Sequence, residues 1–152
     1  MARRPTTPKR GTKAFNQMLV RQLYEDLYNQ GYFTQVEKIA PIIGPNFRDL
    51  GPNSPRVGRG PPAFARCNEM LAYVPGGPAK WTVDEIISEG NKVVVRWSAV
   101  KGEVKSSGIS IYEINKDGQI DAAFTEWNPL NILRIAGFLP EGLGDQGEIR
   151  LR

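Results

Sequence analysis

The stretch KWTVDEIISEGNKVVVRWSAVKGEVKSSGISIYEINKDGQIDAAFTEWN, residues 80–128, decides the fold. It contains four runs rich in Val, Ile, Trp and Thr: Lys80–Glu89, Lys92–Val100, Val104–Ile114 and Gln119–Asn128. The EGN, KGE and NKDG segments between them are too short for anything but tight turns, so consecutive runs pair as hairpins. Tight turns join strands only in antiparallel fashion, which predicts a four-stranded meander. Upstream the period changes. Phe15, Leu19, Leu23 and Leu27 recur at a spacing of four and predict an amphipathic helix over Ala14–Asn29, with Gly31 as its stop. A shorter helical pattern covers Thr34–Ile39 and is broken by Pro41. Asn46–Gly51 fits a short strand, and the Pro- and Gly-dense segment 52–62 a loop. Pro61–Val74 predicts a third helix with Phe64, Cys67, Leu71 and Val74 on one face. A last short helix is expected over Asn131–Phe138. Helices first and sheet second make one α+β domain over residues 14–139, between a basic tail at 1–13 and a polar tail at 140–152.

Composition limits the chemistry. The 152 residues include no His and one Cys. That excludes Ser-His-Asp and Cys-His catalysis and any imidazole acting as acid or base near neutrality. Neither an internal disulfide nor a four-thiolate zinc site can be built from Cys67 alone. The net charge of +4 is carried by the N-terminal tail, which has Arg3, Arg4, Lys9, Arg10 and Lys13 and no acid. Such a tail attracts polyanions in principle, but it is short, Pro- and Thr-rich and lacks aromatics, so it reads as a solvated start and no nucleic-acid partner is expected. No run approaches a membrane span and no secretory pattern is present, so no membrane partner and a cytoplasmic location are expected.

The order helix, helix, short strand, helix, meander resembles the NTF2-like α+β cone. More narrowly, the chain resembles the SnoaL-like polyketide cyclases and their relatives, the ketosteroid isomerases and limonene-type epoxide hydrolases. The residues that carry the resemblance are VRQLYEDLYNQGYF (20–33), NFRDLGP (46–52), WTVDEIISEGNKVVVRWS (81–98), GISIYEINKDGQI (108–120) and WNPLNILRIAGF (127–138). The resemblance implies three N-terminal helices packed on a curved antiparallel sheet, a hydrophobic small-molecule partner, no cofactor or metal, and a homodimer formed through the sheet's outer face.

A symmetric NKDG turn would pair Tyr112 with Asp121, Ser110 with Ala123 and Ser106 with Trp127. One face would then carry Ser110, Tyr112, Asp121, Thr125 and Trp127, and the other Ile109, Ile111, Phe124 and Glu126. By resemblance the first face lines the pocket. A one-residue slip would exchange the faces. Asp121, walled by Tyr112 and Trp127, is the first candidate acid or base, because lost hydration raises a carboxyl pKa toward the working range. Asp49 is the second: the resemblance puts it where ketosteroid isomerases carry their base, while its place before Gly51-Pro52 equally fits a turn former. Substrate contacts are expected from Tyr112, Trp127, Thr125, Ser110 and Arg96, with Tyr24, Tyr28, Met70 and Tyr73 roofing the cone. The positions where cyclases of this family often carry His and an acid are Ala123 and Thr125 here, which weakens epoxide hydrolysis in particular. Three functions stay open: a cofactor-free cyclase, isomerase or dehydratase using carboxylate acid–base catalysis on a polyketide- or terpenoid-like metabolite; a non-catalytic binder of an apolar small molecule; and an epoxide hydrolase.

Overall fold

A computed structural model describes residues 6–52, 54–55 and 58–139. The whole of the expected C-terminal tail, 140–152, and the first five residues of the basic one lie outside the described residues.

Thr12 caps the first helix, α1 (Lys13–Gln22), its Oγ1 accepting the Phe15 N–H at 3.2 Å. Over Leu23–Tyr28 the helix continues but widens: the Asn29 N–H reaches the Tyr24 carbonyl at 2.9 Å and the Tyr32 N–H the Leu27 carbonyl at 3.0 Å, both i→i−5 bonds of a π-turn. A one-turn helix, α2 (Val36–Ile39), leads into strand β1 (Ile43–Asp49). Next comes α3 (Gly60–Cys67), with Pro61 and Pro62 in its first turn. The single third helix expected over Pro61–Val74 is broken. At Asn68 the backbone leaves α geometry, the Asn68 side chain bonds back to the Phe64 carbonyl at 2.9 Å, and a 3₁₀ turn follows over Glu69–Tyr73.

The meander forms as expected: β2 (Lys80–Glu89), β3 (Lys92–Lys101), β4 (Val104–Ile114) and β5 (Ile120–Trp127) pair antiparallel in sequence order. β1 adds a fifth strand, parallel to β5, giving the order β1-β5-β4-β3-β2. The chain closes with α4 (Pro129–Ile135), capped by Asn128. Apolar side chains of α1 and the widened turn, such as Leu19, Val20, Leu23 and Leu27, bury against Val93, Val95, Ile114 and Ile120 on the inner face of the sheet.

The β4–β5 register differs from the symmetric hairpin. The Asn115 N–H bonds the Gln119 carbonyl at 2.8 Å, and Asn115 Oδ1 accepts the N–H groups of Asp117 and Gln119, both at 3.0 Å. Gly118 supplies the left-handed residue the turn needs, with φ of +78°. The turn therefore closes on Asn115 and Gln119, and Ile114 pairs with Ile120. Because Glu113 pairs with Ala122, Asp121 is an extra residue, a β-bulge. Beyond it Tyr112 faces Ala123 and Ser110 faces Thr125. The turn alone would have slipped the faces by one residue; the bulge adds a second and restores the expected parity. Ser110 and Tyr112 are buried inside, while Ile109 and Phe124 stand on the outer face.

Candidate active site

Inside the cone the sheet and helices enclose a cavity of about 100 Å³. The sheet contributes Trp97 and Trp81 from β3 and β2, Ser110 and Tyr112 from β4, and Thr125 and Trp127 from β5. Tyr24 and Tyr28 of the widened turn form the roof, Phe47 and Phe64 stack edge-on at 5.6 Å, and Met70, Leu71 and Ile132 complete the apolar wall. The aromatic rings form a continuous layer: Tyr24–Tyr28 centroids are 5.2 Å apart, Tyr28–Trp81 4.8 Å and Trp81–Trp97 4.9 Å. Contacts of this kind add to what area burial alone contributes.

Two hydrogen-bonded groups cross this apolar surface. The Tyr24 and Tyr112 hydroxyls are 2.7 Å apart. Trp97 Nε1–H donates to Ser110 Oγ at 2.9 Å, and that hydroxyl lies 2.9 Å from Thr125 Oγ1. Opposite them, the Tyr28 hydroxyl donates to Asn68 Oδ1 at 3.0 Å. Burial pushes the Tyr112 phenol up to about 12 and raises Tyr24 and Tyr28 well above the ordinary tyrosine value. All three are therefore neutral hydroxyls at physiological pH; the Tyr28 proton goes to Asn68, and the Tyr24–Tyr112 pair, in which one donates to the other, keeps one proton for an oxygen that gains charge.

Among the described residues Asp49 is the one carboxylate on the cavity wall. β1 delivers it inward because it pairs in register with Ala123, whose side chain also faces in. Its Oδ1 accepts the Gly51 N–H at 2.9 Å, so the turn-forming and cavity-lining readings are both correct. Loss of hydration raises its pKa, while the Gly51 N–H and the Cys67 thiol, which hydrogen-bond the charged form, oppose the rise. Burial likewise pushes Cys67 up to about 11, so it is a thiol donor rather than a nucleophile. A second hollow of about 320 Å³, bounded by Leu50, Gly58 and Ala63, shares Asp49, Ser54 and Cys67 with the first. Among the described residues no group of three Cys, Asp or Glu side chains is placed to hold a metal ion.

Several expected site residues lie in the cavity wall: Asp49, Tyr112, Trp127, Thr125, Ser110, Tyr24, Tyr28 and Met70. Three lie elsewhere. Asp121 sits in the bulge, turned toward β1: it accepts a bond from Asn115 Nδ2 at 2.9 Å and packs over Gly44, where a β-carbon would collide with its Oδ1. Arg96 alternates with the inward-facing Trp97, so it projects from the outer face and pairs with Glu85 at 2.8 Å and Asp84 at 3.5 Å. Tyr73 lies in the 3₁₀ turn and is 69% exposed. The geometry at Asp121 gives a clear expectation. Asp121→Ala should lose a charge-assisted bond worth roughly 1–2 kcal/mol and lower the melting temperature by about 2–8 °C, with ligand binding in the cavity unchanged. A binding loss at unchanged stability would give Asp121 a role this geometry does not.

Trp81, Trp97, Cys67 and Asn68 are wall residues that the sequence reading did not single out as site residues. Trp97 shares its face with Val93 and Val95, so strand alternation carried a signal for it. No periodic signal exists for Asn68, which lines the cavity because the helix breaks there.

A sequence profile of the SnoaL-like domain matches residues 20–123. No curated protein matches the chain. Solved structures of similar fold include TsrD from Streptomyces laurentii, 23% identical over 84% of this chain and 98% of that one, with a TM-score of 0.61. A protein from Acidithiobacillus ferrooxidans assigned as a polyketide cyclase is 16% identical over 84% of this chain and 98% of that one (TM-score 0.63). A third, from Kribbella flavida and assigned as a ketosteroid isomerase, is 19% identical over 75% of this chain and 78% of that one (TM-score 0.56). At these identities the likeness is one of fold.

Proposed function

The chain belongs to the SnoaL-like domain family, and from that premise we propose that it is an acid–base isomerase or cyclase acting on a hydrophobic, polyketide- or terpenoid-like carbonyl compound. One observation carries this reading: a single half-buried carboxylate, Asp49, faces an aromatic cavity that also presents the paired Tyr24 and Tyr112 hydroxyls. Abstraction of a proton α to a carbonyl needs a base near the carbon and donors near the oxygen. Partial burial adjusts the first, and the neutral phenols supply the second. Asp49 takes the proton, one phenol of the Tyr24–Tyr112 pair donates to the developing enolate oxygen while the second donates to the first, and the rings orient the carbon skeleton. The proton then returns from Asp49 to a different carbon, or the enolate carbon bonds to an internal carbonyl carbon whose oxygen takes the proton back from Asp49.

The test is α-proton exchange in deuterium oxide, followed by NMR across a panel of cyclic enones and aryl ketones. Exchange catalysed by the wild-type chain and lost in Asp49→Asn supports the reading. A ketone that binds without exchanging its protons makes the domain a carrier instead.

The outer face supports a further proposal, a homodimer. Ile87 and Ile109 are 68% and 49% exposed there, beside the half-buried Val94 and Ile111. Arg96 and Glu126 flank the same Ile109 across adjacent strands. A patch holding both charge signs around an apolar centre can pair with itself across a two-fold axis. Sedimentation should give a dimer for the wild type and a monomer for Ile109→Glu, whereas a wild-type monomer at ~50 μM, a concentration at which a stable interface would be occupied, would rule the interface out.

A further inference from the structure

We propose that the cavity takes a ligand bearing a compact organic cation, a tertiary or quaternary ammonium group. The inference rests on the functional reading above only in treating this cavity and Asp49 as the ligand site.

Charge is the first argument. Asp49 is the only charged side chain among the described residues that line the cavity. Among the described residues it forms no ion pair, and those that act on its ionisation, beside burial, are the Gly51 N–H and the Cys67 thiol. A carboxylate that has lost part of its water and has no counter-charge among the described residues is, within them, an incomplete electrostatic arrangement. An ammonium group entering the cavity would complete it.

The second argument is the nature of the wall. Eight of the twenty lining residues are aromatic, in a chain where aromatics make up 9% overall. All three tryptophans are among them. A neutral apolar ligand would be held as well by Leu, Ile and Val, because burial depends on area rather than on ring faces. Rings have negative faces, and a cation near them gains attraction that an uncharged group of the same shape does not. The thioether of Met70 and the phenol oxygens of Tyr24 and Tyr112 add polarisable or electron-rich atoms to the same wall.

The third argument is size. A chamber of about 100 Å³ suits a small, roughly spherical head group better than an extended chain. The adjoining hollow that shares Asp49 has Arg48 on its wall and so suits an uncharged or anionic remainder of the ligand.

The test compares choline with 3,3-dimethylbutan-1-ol, its uncharged isostere, on the full chain at about pH 8 and fixed ionic strength. Tryptophan fluorescence reports binding directly, since every tryptophan lines the cavity. Choline should bind about tenfold more tightly than the alcohol. Asp49→Asn should erase that preference while leaving the affinity for the alcohol within about twofold, which also shows that the variant is folded. Trp127→Leu, which keeps apolar area but removes a ring face, should weaken choline selectively.

Equal or tighter binding of the alcohol overturns the proposal. So does a preference that survives Asp49→Asn, or no binding of either probe up to ~10 mM. The two readings of the site fail separately. Loss of the cation preference leaves α-proton exchange intact, and absence of exchange leaves the cation preference intact.

Discussion

Asp49→Asn is expected to lower α-proton exchange by about 10²- to 10⁴-fold, the range that a positioned general base contributes. The substitution is nearly isosteric, and the amide oxygen can still accept the Gly51 N–H, so the β1 end keeps its geometry. The same change is expected to leave the melting temperature at neutral pH unchanged or higher. Burial raises the Asp49 pKa above that of the unfolded chain. A raised carboxyl favours folding fully only below the unfolded value, and that advantage is lost as pH rises through the folded value. At neutral pH the ionised Asp49 is therefore a net cost to the folded state, which Asn removes. The difference in melting temperature between wild type and variant should shrink as the pH falls through the acid range, because both side chains are then neutral. Scanning calorimetry from about pH 7 to about pH 4, which brackets ordinary carboxyl titration, checks the sign. A variant with reduced exchange and a large loss of stability would mean that Asp49 holds the fold together rather than performing chemistry.

Gly108→Ala should be the most damaging small substitution in the sheet. Gly108 pairs with Trp97 on one side and Trp127 on the other. A β-carbon there would meet Trp97 Cε2 at 2.8 Å and the Glu126 carbonyl oxygen at 2.6 Å. The carbonyl belongs to the β5 backbone, so its contact can be relieved only by disturbing the β4–β5 ladder, and the indole must move as well. We expect a loss of about 3 kcal/mol, seen as a fall in melting temperature of about 6–12 °C. A displaced Trp97 would also release Ser110, to which its indole N–H donates, so tryptophan emission should change along with stability. Ser107→Ala, at the exposed neighbouring position, serves as the control and should change neither. If Gly108→Ala melts with the wild type, the close packing of Trp97 over β4 is not needed for folding.

The meander was legible because each strand alternates and each connecting turn is only a few residues long. The faces of β4 and β5 were legible for a less secure reason. Asn115 closes the turn one residue away from the symmetric position, and the bulge at Asp121 cancels the effect on parity. Sequence spacing shows neither event, since a turn and a bulge are chosen by local hydrogen bonds rather than by periodicity. That is why Ser110, Tyr112, Thr125 and Trp127 were placed on the correct wall while Asp121, the residue that makes the correction, was not. Arg96 illustrates the opposite case. Alternation with Val95 and Trp97 already placed it on the other face, and the acids that neutralise it lie on the neighbouring strand, invisible to a reading of β3 alone. The Asn68 break was not legible because Phe64, Cys67, Leu71 and Val74 keep a helical spacing straight through it.

The widened turn at Leu23–Tyr28 bears on how such a site changes over generations. An i→i+5 loop holds one residue more than the α-turn it replaces, so it behaves as an absorbed insertion. Losing one residue between Tyr24 and Tyr28 would restore the regular helix and leave the segments on either side in their present phase, so the change would fall on the turn itself. The two phenols of the turn would then stand three residues apart instead of four, with the length and packing of the roof nearly intact. A single codon gained or lost at this point is thus a unit of functional change, and it acts on the phenol pair without touching any of the strands beneath.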